Sequence, residues 1–318
     1  MSPHAAPAIA IQDAGASSHI GSRQAQQDKY TLLLPPDFPT KSPDELAFFA
    51  VYDGHGSSMV SSHANENIRR FLQESEELGA GRYEEAIREV ILREERALLE
   101  GFSGGEEKFS TTGSTAAMAL VNLTRGFMVV GNLGDSGVLI GDYDYSGNGL
   151  DEGEEAGNIR CSTKAHKPGD SSEKARIVDA GGRVNTDSGS ERIGTLNMSR
   201  ALGDLQYKEP LINSGTGPLN EAQERACISS SIEQQNLLSN EPFVTQVNLN
   251  DGSQHVVVLA TDGVTDALTD DAIINGILMC YRSGLSATES SEDMAGTAAS
   301  LPGSDNATCI AVFIDGTS

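Results

Sequence analysis

Phe48-Phe49-Ala50-Val51-Tyr52-Asp53-Gly54-His55-Gly56 is the stretch on which the fold turns. Five apolar residues in succession read as a strand. The run stops on Asp-Gly, which is turn chemistry, with a histidine directly behind it. The same theme returns twice. Val257-Val258-Leu259-Ala260-Thr261 leads into Asp262-Gly263, and Asp305-Asn306 stands just ahead of an apolar run over Cys309–Ile314. A buried strand is a rigid mount, so its end delivers a side chain to a defined place. Taken singly, an Asp-Gly after a strand is a turn. Three such carboxylates brought together repel one another and lose hydration, and a divalent cation is the usual compensation. A donor set made only of oxygen favours Mg²⁺ or Mn²⁺ over zinc.

Outward from that stretch, apolar runs alternate with helical patterns. Tyr30–Leu34 and Leu46–Tyr52 read as strands. Val60, Ala64, Ile68, Phe71 and Leu72 recur at the spacing of one helix face. A second amphipathic helix carries Tyr83, Ala86, Ile87, Val90, Ile91, Leu98 and Leu99, with Glu84–Arg88 and Glu89–Arg93 four apart on its wet side. Thr115–Val121, Phe127–Asn132 and Gly137–Ile140, separated by turn residues, suggest an antiparallel meander. Glu173–Ala180 reads as a helix capped by Ser171 or Ser172 and stopped at Gly181-Gly182. Val256–Ala260 reads as a strand buried on both faces, Asp270–Tyr281 as a helix and Cys309–Ile314 as a closing strand. Hairpins and paired helices predict an α+β layered domain. The expected division is a loose, small-residue arm over 1–20 and a single domain over 21–318. Gly-rich acidic 142–158 and polar 209–240 read as inserted surface loops. Asp142, Asp144 and Ser146 begin like a calcium loop, but its twelfth position is Gly153 where a bidentate Glu is needed, so no calcium is expected there.

Composition narrows the function. The chain has 318 residues, with 46 acids against 22 bases and a formal charge of −24. Such a surface repels nucleic-acid backbones and anionic membranes. Four scattered cysteines without a CxxC predict reduced thiols and an intracellular protein, in cytoplasm or nucleus, with the mitochondrial matrix as alternative. No apolar run approaches the roughly 18 residues that span a bilayer, and no secretory signal is visible. A monomer is expected.

The ordered set Arg23–Asp28 (RQAQQD), Asp53–Gly56 (DGHG), Thr112–Ala116 (TGSTA), Asn132–Ser136 (NLGDS), His166–Pro168 (HKP), Glu173–Gly182 (EKARIVDAGG), Met198–Asp204 (MSRALGD), Asp262–Asp266 (DGVTD) and Asp305–Thr308 (DNAT) resembles the type 2C family of metal-dependent protein serine/threonine phosphatases. Each motif alone is weak; together, in family order over most of the chain, they are specific. The resemblance implies a four-layer αββα sandwich, two central antiparallel sheets flanked by helix pairs, with a binuclear Mg²⁺ or Mn²⁺ site at one edge. It implies that Asp53 bridges two ions, that the Gly54 carbonyl ligates one, and that Asp262 and Asp305 complete the other. Gln27 would act through water and Asp28 would orient waters. Arg23 would hold the substrate phosphate, its planar fork suiting two phosphate oxygens. The implied reaction is in-line attack on a phosphoserine or phosphothreonine of a phosphoprotein by a hydroxide bridging the ions. His55 is the candidate general acid for the alkoxide leaving group. His4, His19, His63 and His255 lack such context and read as structural or exposed.

The chain departs from the family pattern. Gln27 stands where Glu is common, Ser57 replaces a Gly and Gly137 an Arg. Ala165 stands where the family pattern places an Asp before His-Lys-Pro, and a methyl group cannot coordinate a cation. A third ion, with Asp266 as its other ligand, is therefore expected to bind weakly or not at all, leaving Asp266 as an acceptor outside the ligand set. Ala165 also favours the competing reading, a phosphatase-like regulatory or binding module of low turnover. Hydrolysis of a small phosphorylated metabolite is a further alternative, because a metal site reads only phosphate. Substrate choice is assigned to a flap around 183–196 and to 209–240.

Overall fold

The computed structural model describes residues 7–143, 157–186, 189–209 and 236–316. Strand β3 (Leu46–Tyr52) is fully buried along its length, as its unbroken apolar run requires. Its residues part in strict alternation. Phe48, Ala50 and Tyr52 pack with Val60, Ile68, Ile87 and Val90 of helices α1 (Met59–Glu74) and α3 (Tyr83–Ser103). Ala47, Phe49 and Val51 face the other way, onto Val257, Leu259, Ile310 and Val312.

Those last four belong to β12 (Gln254–Ala260) and β13 (Ala307–Asp315), the heart of a second sheet. Strands β12 and β13 alternate likewise: Val256, Val258, Ala311 and Phe313 pack with Ile273, Ile277, Met294 and Ala298 of helices α6 (Asp270–Arg282) and α7 (Ala287–Ala299). The architecture is thus mixed, with helices packed on antiparallel sheets. One sheet has the order β11-β7-β6-β3-β2, the other β1-β13-β12-β8-β9. The first is completed by β2 (Lys29–Leu33), β6 (Ala116–Asn122), β7 (Phe127–Leu133) and β11 (Phe243–Asn248). The second is completed by β1 (Ala10–His19), β8 (Gly137–Tyr143) and β9 (Asn158–Ser162). A short ribbon of three strands, β4 (Gly54–His55), β5 (Gly113–Ser114) and β10 (Leu202–Gly203), runs beside them. Among the described residues no helix is long and apolar enough to cross a membrane. Cys161, Cys280 and Cys309 are free thiols, and Cys227 lies outside the described residues.

Three expectations are corrected. Residues 10–19 of the expected loose arm form β1, paired along its length with β13. Its small residues hid it: Gly15 lies against the backbone of Thr288 on α7, and only a residue without a side chain allows that approach. Helix α7 was unread for the same reason, since its buried face is Ala287, Ser290, Ser291, Met294, Ala295 and Ala298, nearly all small. The expected meander breaks after its second strand. Strands β6 and β7 pair, but β8 pairs with β12 and β9 in the other sheet, so the turn at Gly134, at φ +103°, carries the chain from one sheet to the other. Helix α4 (Ser171–Asp179) has Asp170 at its N-cap, one residue ahead of the expected serines. Most of the two insertions, residues 144–156 with the rest of the calcium-like loop and residues 210–235, lie outside the described residues.

The β1–α7 contact tests the new edge of the sheet. Gly15→Ala places a methyl inside the Thr288 backbone, which cannot rotate away as a side chain would. A loss of about 3 kcal/mol is expected, read as a lower urea midpoint at unchanged m-value. An unchanged midpoint would show that α7 is not seated there.

Candidate active site

The two sheets bring several strand ends to one edge. Strand β3 ends at Tyr52, and Asp53 follows. Strand β12 ends at Ala260, antiparallel to the start of β13, so Asp262 comes to the same edge as Asp305. Gly263 lies directly on the Asn306 carbonyl, where a side chain would overlap it. That close approach is what the Asp-Gly provides. The β7–β8 crossing turn arrives at this edge too and carries Asp135.

The carboxylate oxygens of Asp53, Asp135 and Asp262 all lie within 4.8 Å of one another. Asp135 was quoted within Asn132–Ser136 but given no role; the signal was its place in a Gly-Asp-Ser turn between strands. Burial, and then the neighbouring Asp262, Asp28 and Asp135 carboxylates, push Asp53 well above the usual carboxylate range. Burial and Asp135 push Asp262 up to about 7. The Lys167 ammonium, 2.5 Å from Asp135 Oδ2, is the protein's own counter-charge. Burial alone would lower its pKa, but Asp135, with Asp266 and Asp262 behind it, holds it above its usual range. The other buried oxygen of Asp135, Oδ1, has no hydrogen-bond partner among the described residues. Half-buried, crowded, oxygen-only and incompletely satisfied, this group fits a hard divalent cation.

The remaining predicted residues fall around it. Asp305 is not one of the three clustered carboxylates; its Oδ2 is 2.5 Å from Arg23 Nη2, so the phosphate-binding candidate stands at the same edge. Asn306 holds the loop bearing Arg23 and Gln27: its Nδ2 donates to the Ile20 and Ala25 carbonyls, and its Oδ1 accepts from the Gln27 amide. Asp28 is buried and accepts from the Thr261 and Thr308 hydroxyls at 2.9 and 2.7 Å; burial nonetheless raises it to about 6. Gly54 packs against the Gln27 carbonyl and Ser61, with no room for a side chain. Asp266 follows the short helix α5 (Asp262–Thr265) and donates its amide to the Asp262 carbonyl. His55 Nε2 lies 2.5 Å from Asp204 Oδ2, a partner 149 residues away that sequence reasoning did not name.

The other histidines are held elsewhere. His63 pairs with buried Glu94, His255 with Asp142 and Asp251, and His19 with Glu292; His4 lies outside the described residues. Some motif residues tie segments together. Glu173 takes Arg200 on Oε1 and Arg176 on Oε2, and Arg176 also donates to the Ser199 carbonyl. The Ser199 amide in turn donates to the His166 carbonyl, so one buried carboxylate joins three separated motifs.

A family model described as protein phosphatase 2C matches residues 14–306. Protein phosphatase 2C homolog 2 of Saccharomyces cerevisiae is 29% identical over 270 residues, covering 85% of this chain and 50% of its own length. The chain spans about half the length of the curated relatives it matches. Serine-threonine phosphatase 2C from Toxoplasma gondii shares the fold at a TM-score of 0.71 and 21% identity, covering 97% of both chains. The catalytic domain of the serine threonine protein phosphatase PstP, solved in complex with two manganese ions, does so at a TM-score of 0.56 and 17% identity, covering 96% of this chain and 99% of that one.

The crowded carboxylates predict a pH signature. A carboxylate whose folded pKa is raised contributes stability that is full below its unfolded value and is lost as pH rises through the folded one. With Asp28 raised from 3.8 to about 6 and Asp262 from 3.8 to about 7, EDTA-treated protein should lose stability between about pH 4 and 7. The slope should be up to about 1.4 kcal/mol per pH unit per proton. Saturating Mn²⁺ should flatten the slope, and Asp262→Asn should reduce it without metal. Denaturant melts across pH check this; parallel slopes with and without Mn²⁺ would contradict it.

Proposed function

The chain belongs to the protein phosphatase 2C family, and from that premise we propose that it is a Mg²⁺- or Mn²⁺-dependent protein serine/threonine phosphatase acting on a phosphoprotein. The observation that carries this reading is the crowded, half-buried group of Asp53, Asp135 and Asp262 at the edge where Arg23 meets Asp305. The four-layer αββα arrangement and a site for two ions at its edge belong to the same proposal. The two manganese ions held by PstP support the count.

Asp53, the Gly54 carbonyl, Asp262 and Asp305 would hold the ions, with Asp53 as the ligand common to both, and Gln27 and Asp28 would act through water. Bound divalent ions supply a nucleophile from water at neutral pH and neutralise charge on phosphoryl oxygens. The residues of the chain do the rest. Arg23, held at the edge by Asp305, keeps further N–H donors for two phosphate oxygens. A seryl or threonyl alkoxide leaves poorly without a proton, and that proton is assigned to His55.

The expectation of an absent third ion rested on Ala165. Asp135 changes that balance: it puts a carboxylate on the side of Asp266, where both act on Lys167. The affinity of any further ion would then depend on Asp135 and Asp266, with Lys167 competing, and the low-turnover module stays the competing reading that Ala165 favours.

Two outcomes test the reading. Hydrolysis of a phosphothreonine peptide should require Mg²⁺ or Mn²⁺ and stop with EDTA, and Asp53→Asn or Asp262→Asn should each lose at least ~10²-fold. Full activity after EDTA treatment would falsify the metal mechanism. Separately, His55→Ala should slow a phosphoserine peptide by roughly 10²-fold. It should slow p-nitrophenyl phosphate much less, because that leaving group departs unprotonated. Equal losses would remove His55 from the proton-donating role.

A further inference from the structure

The ribbon beside the site is built around a gap in side chains. In register, Gly203 of β10 stands opposite Gly113 of β5, which stands opposite His55 of β4. The middle residue has no side chain, and over it the His55 ring meets the Asp204 carboxylate. A Cβ at Gly113 would overlap Asp204 Oδ2 and come within 2.6 Å of His55 Nε2. Asp204 is also the one non-glycine residue at positive φ among the described residues, at φ 49° and ψ 42°. The left-handed region is uncommon for a residue with a side chain, though Asp tolerates it better than most.

That conformation is held from both sides. The Asp204 amide donates to the Thr112 carbonyl at 2.8 Å. The Gly203 amide donates to Glu95 Oε2 on α3 at 3.1 Å. Glu95 Oε1 accepts from Lys208 Nζ at 2.6 Å, and the same ammonium donates to the Ala201 carbonyl at 2.7 Å. Lys208 and Asp204 are both almost wholly buried. A buried ion pair, two backbone bonds and an unusual backbone angle together aim one carboxylate at one ring nitrogen.

We infer that Asp204 is the positioning residue of an Asp–His pair in which the Asp204 carboxylate accepts from His55 Nε2–H, leaving Nδ1 as the nitrogen that gives the proton to the leaving serine or threonine oxygen. Nδ1 is buried and has no hydrogen-bond partner among the described residues. The logic is that of any carboxylate that fixes a catalytic imidazole's tautomer and orientation and stabilises its charged form. The step balances. An oxygen from water bonds to phosphorus, the phosphorus–ester oxygen bond breaks with its electron pair on the ester oxygen, and that oxygen takes the Nδ1 proton. The proton released by the attacking water later restores His55, so ester plus water gives alcohol plus phosphate. The inference rests on the phosphatase reading above, with His55 as general acid.

The test pairs two substrates with four variants, each checked for an unchanged melt and unchanged Mn²⁺ binding by calorimetry. Asn keeps the shape of Asp and tolerates the left-handed angle, so Asp204→Asn should fold. It should cut kcat on a phosphoserine peptide by roughly 10–10²-fold and on p-nitrophenyl phosphate by less than about threefold. Added to His55→Ala it should cost nothing further, because the pair acts as a unit. Gly113→Ala, which parts the pair without replacing either member, should show the same substrate split. Nitrogen NMR of His55 should report a protonated Nε2 in the unmodified protein. Equal slowing of both substrates by Asp204→Asn, a double variant losing the product of the single effects, or His55 unprotonated at Nε2 would each overturn the pair while leaving the phosphatase reading intact. If His55→Ala itself slows both substrates alike, the general-acid reading falls and the pair with it.

Discussion

Three carboxylates held within 4.8 Å of one another, largely out of water, repel strongly, and the fold has to hold them there until cations arrive. Much of the architecture near the site follows from that constraint. Asp53 and Asp262 are mounted on the ends of strands buried on both faces, and Asp135 on the turn that crosses between sheets. Glycines let the backbones close in: Gly54 on the Gln27 carbonyl and Gly263 on the Asn306 carbonyl. Lys167 supplies one positive charge from within the chain. Raised pKa values at Asp53 and Asp262 are the residue of the conflict. They make the site a strong claimant for hard cations, because a bound ion converts the repulsion into ligation.

Around this centre the polar residues divide by task. Asn306 secures the loop of Arg23, Glu173 ties the His166 and Ser199 segments together, and the Glu95–Lys208 pair anchors the segment that presents Asp204. None of these side chains needs to touch a phosphate. Each is a buried polar group whose hydrogen bonds specify one arrangement of segments far apart in the chain, and removing a partner would leave a desolvated group unsatisfied. The net charge of −24 adds a second demand. On the proposed reading a phosphorylated substrate would approach an acidic protein, so its binding would rely on local cations and on Arg23.

Strands and helices with a strong apolar pattern were legible in the sequence. Leu46–Tyr52, Val256–Ala260 and the helix faces at Val60–Leu72 and Tyr83–Leu99 identify themselves, because a short unbroken apolar run marks a strand buried on both faces and apolar side chains at period 3.6 mark one face of a helix. The elements that escaped, β1 and α7, are made of Gly, Ala and Ser. Their signal is closeness of packing, which hydrophobicity does not measure. The strand-end aspartates Asp53 and Asp262 were legible because an Asp-Gly at the end of a buried strand is a local arrangement.

What the sequence determined by itself, then, is local: which segments are strands or helices, where they end, and which residue types stand at those ends. The tertiary structure decided which ends meet. It sent β8 into the opposite sheet, which brought Asp135 to Asp53 and Asp262 while Asp305 took Arg23. It carried Asp204 across 149 residues to His55, over a glycine that leaves room for both. Sheet order, register and crossing are set by the packing of whole faces against one another, and no window of neighbouring residues contains that information.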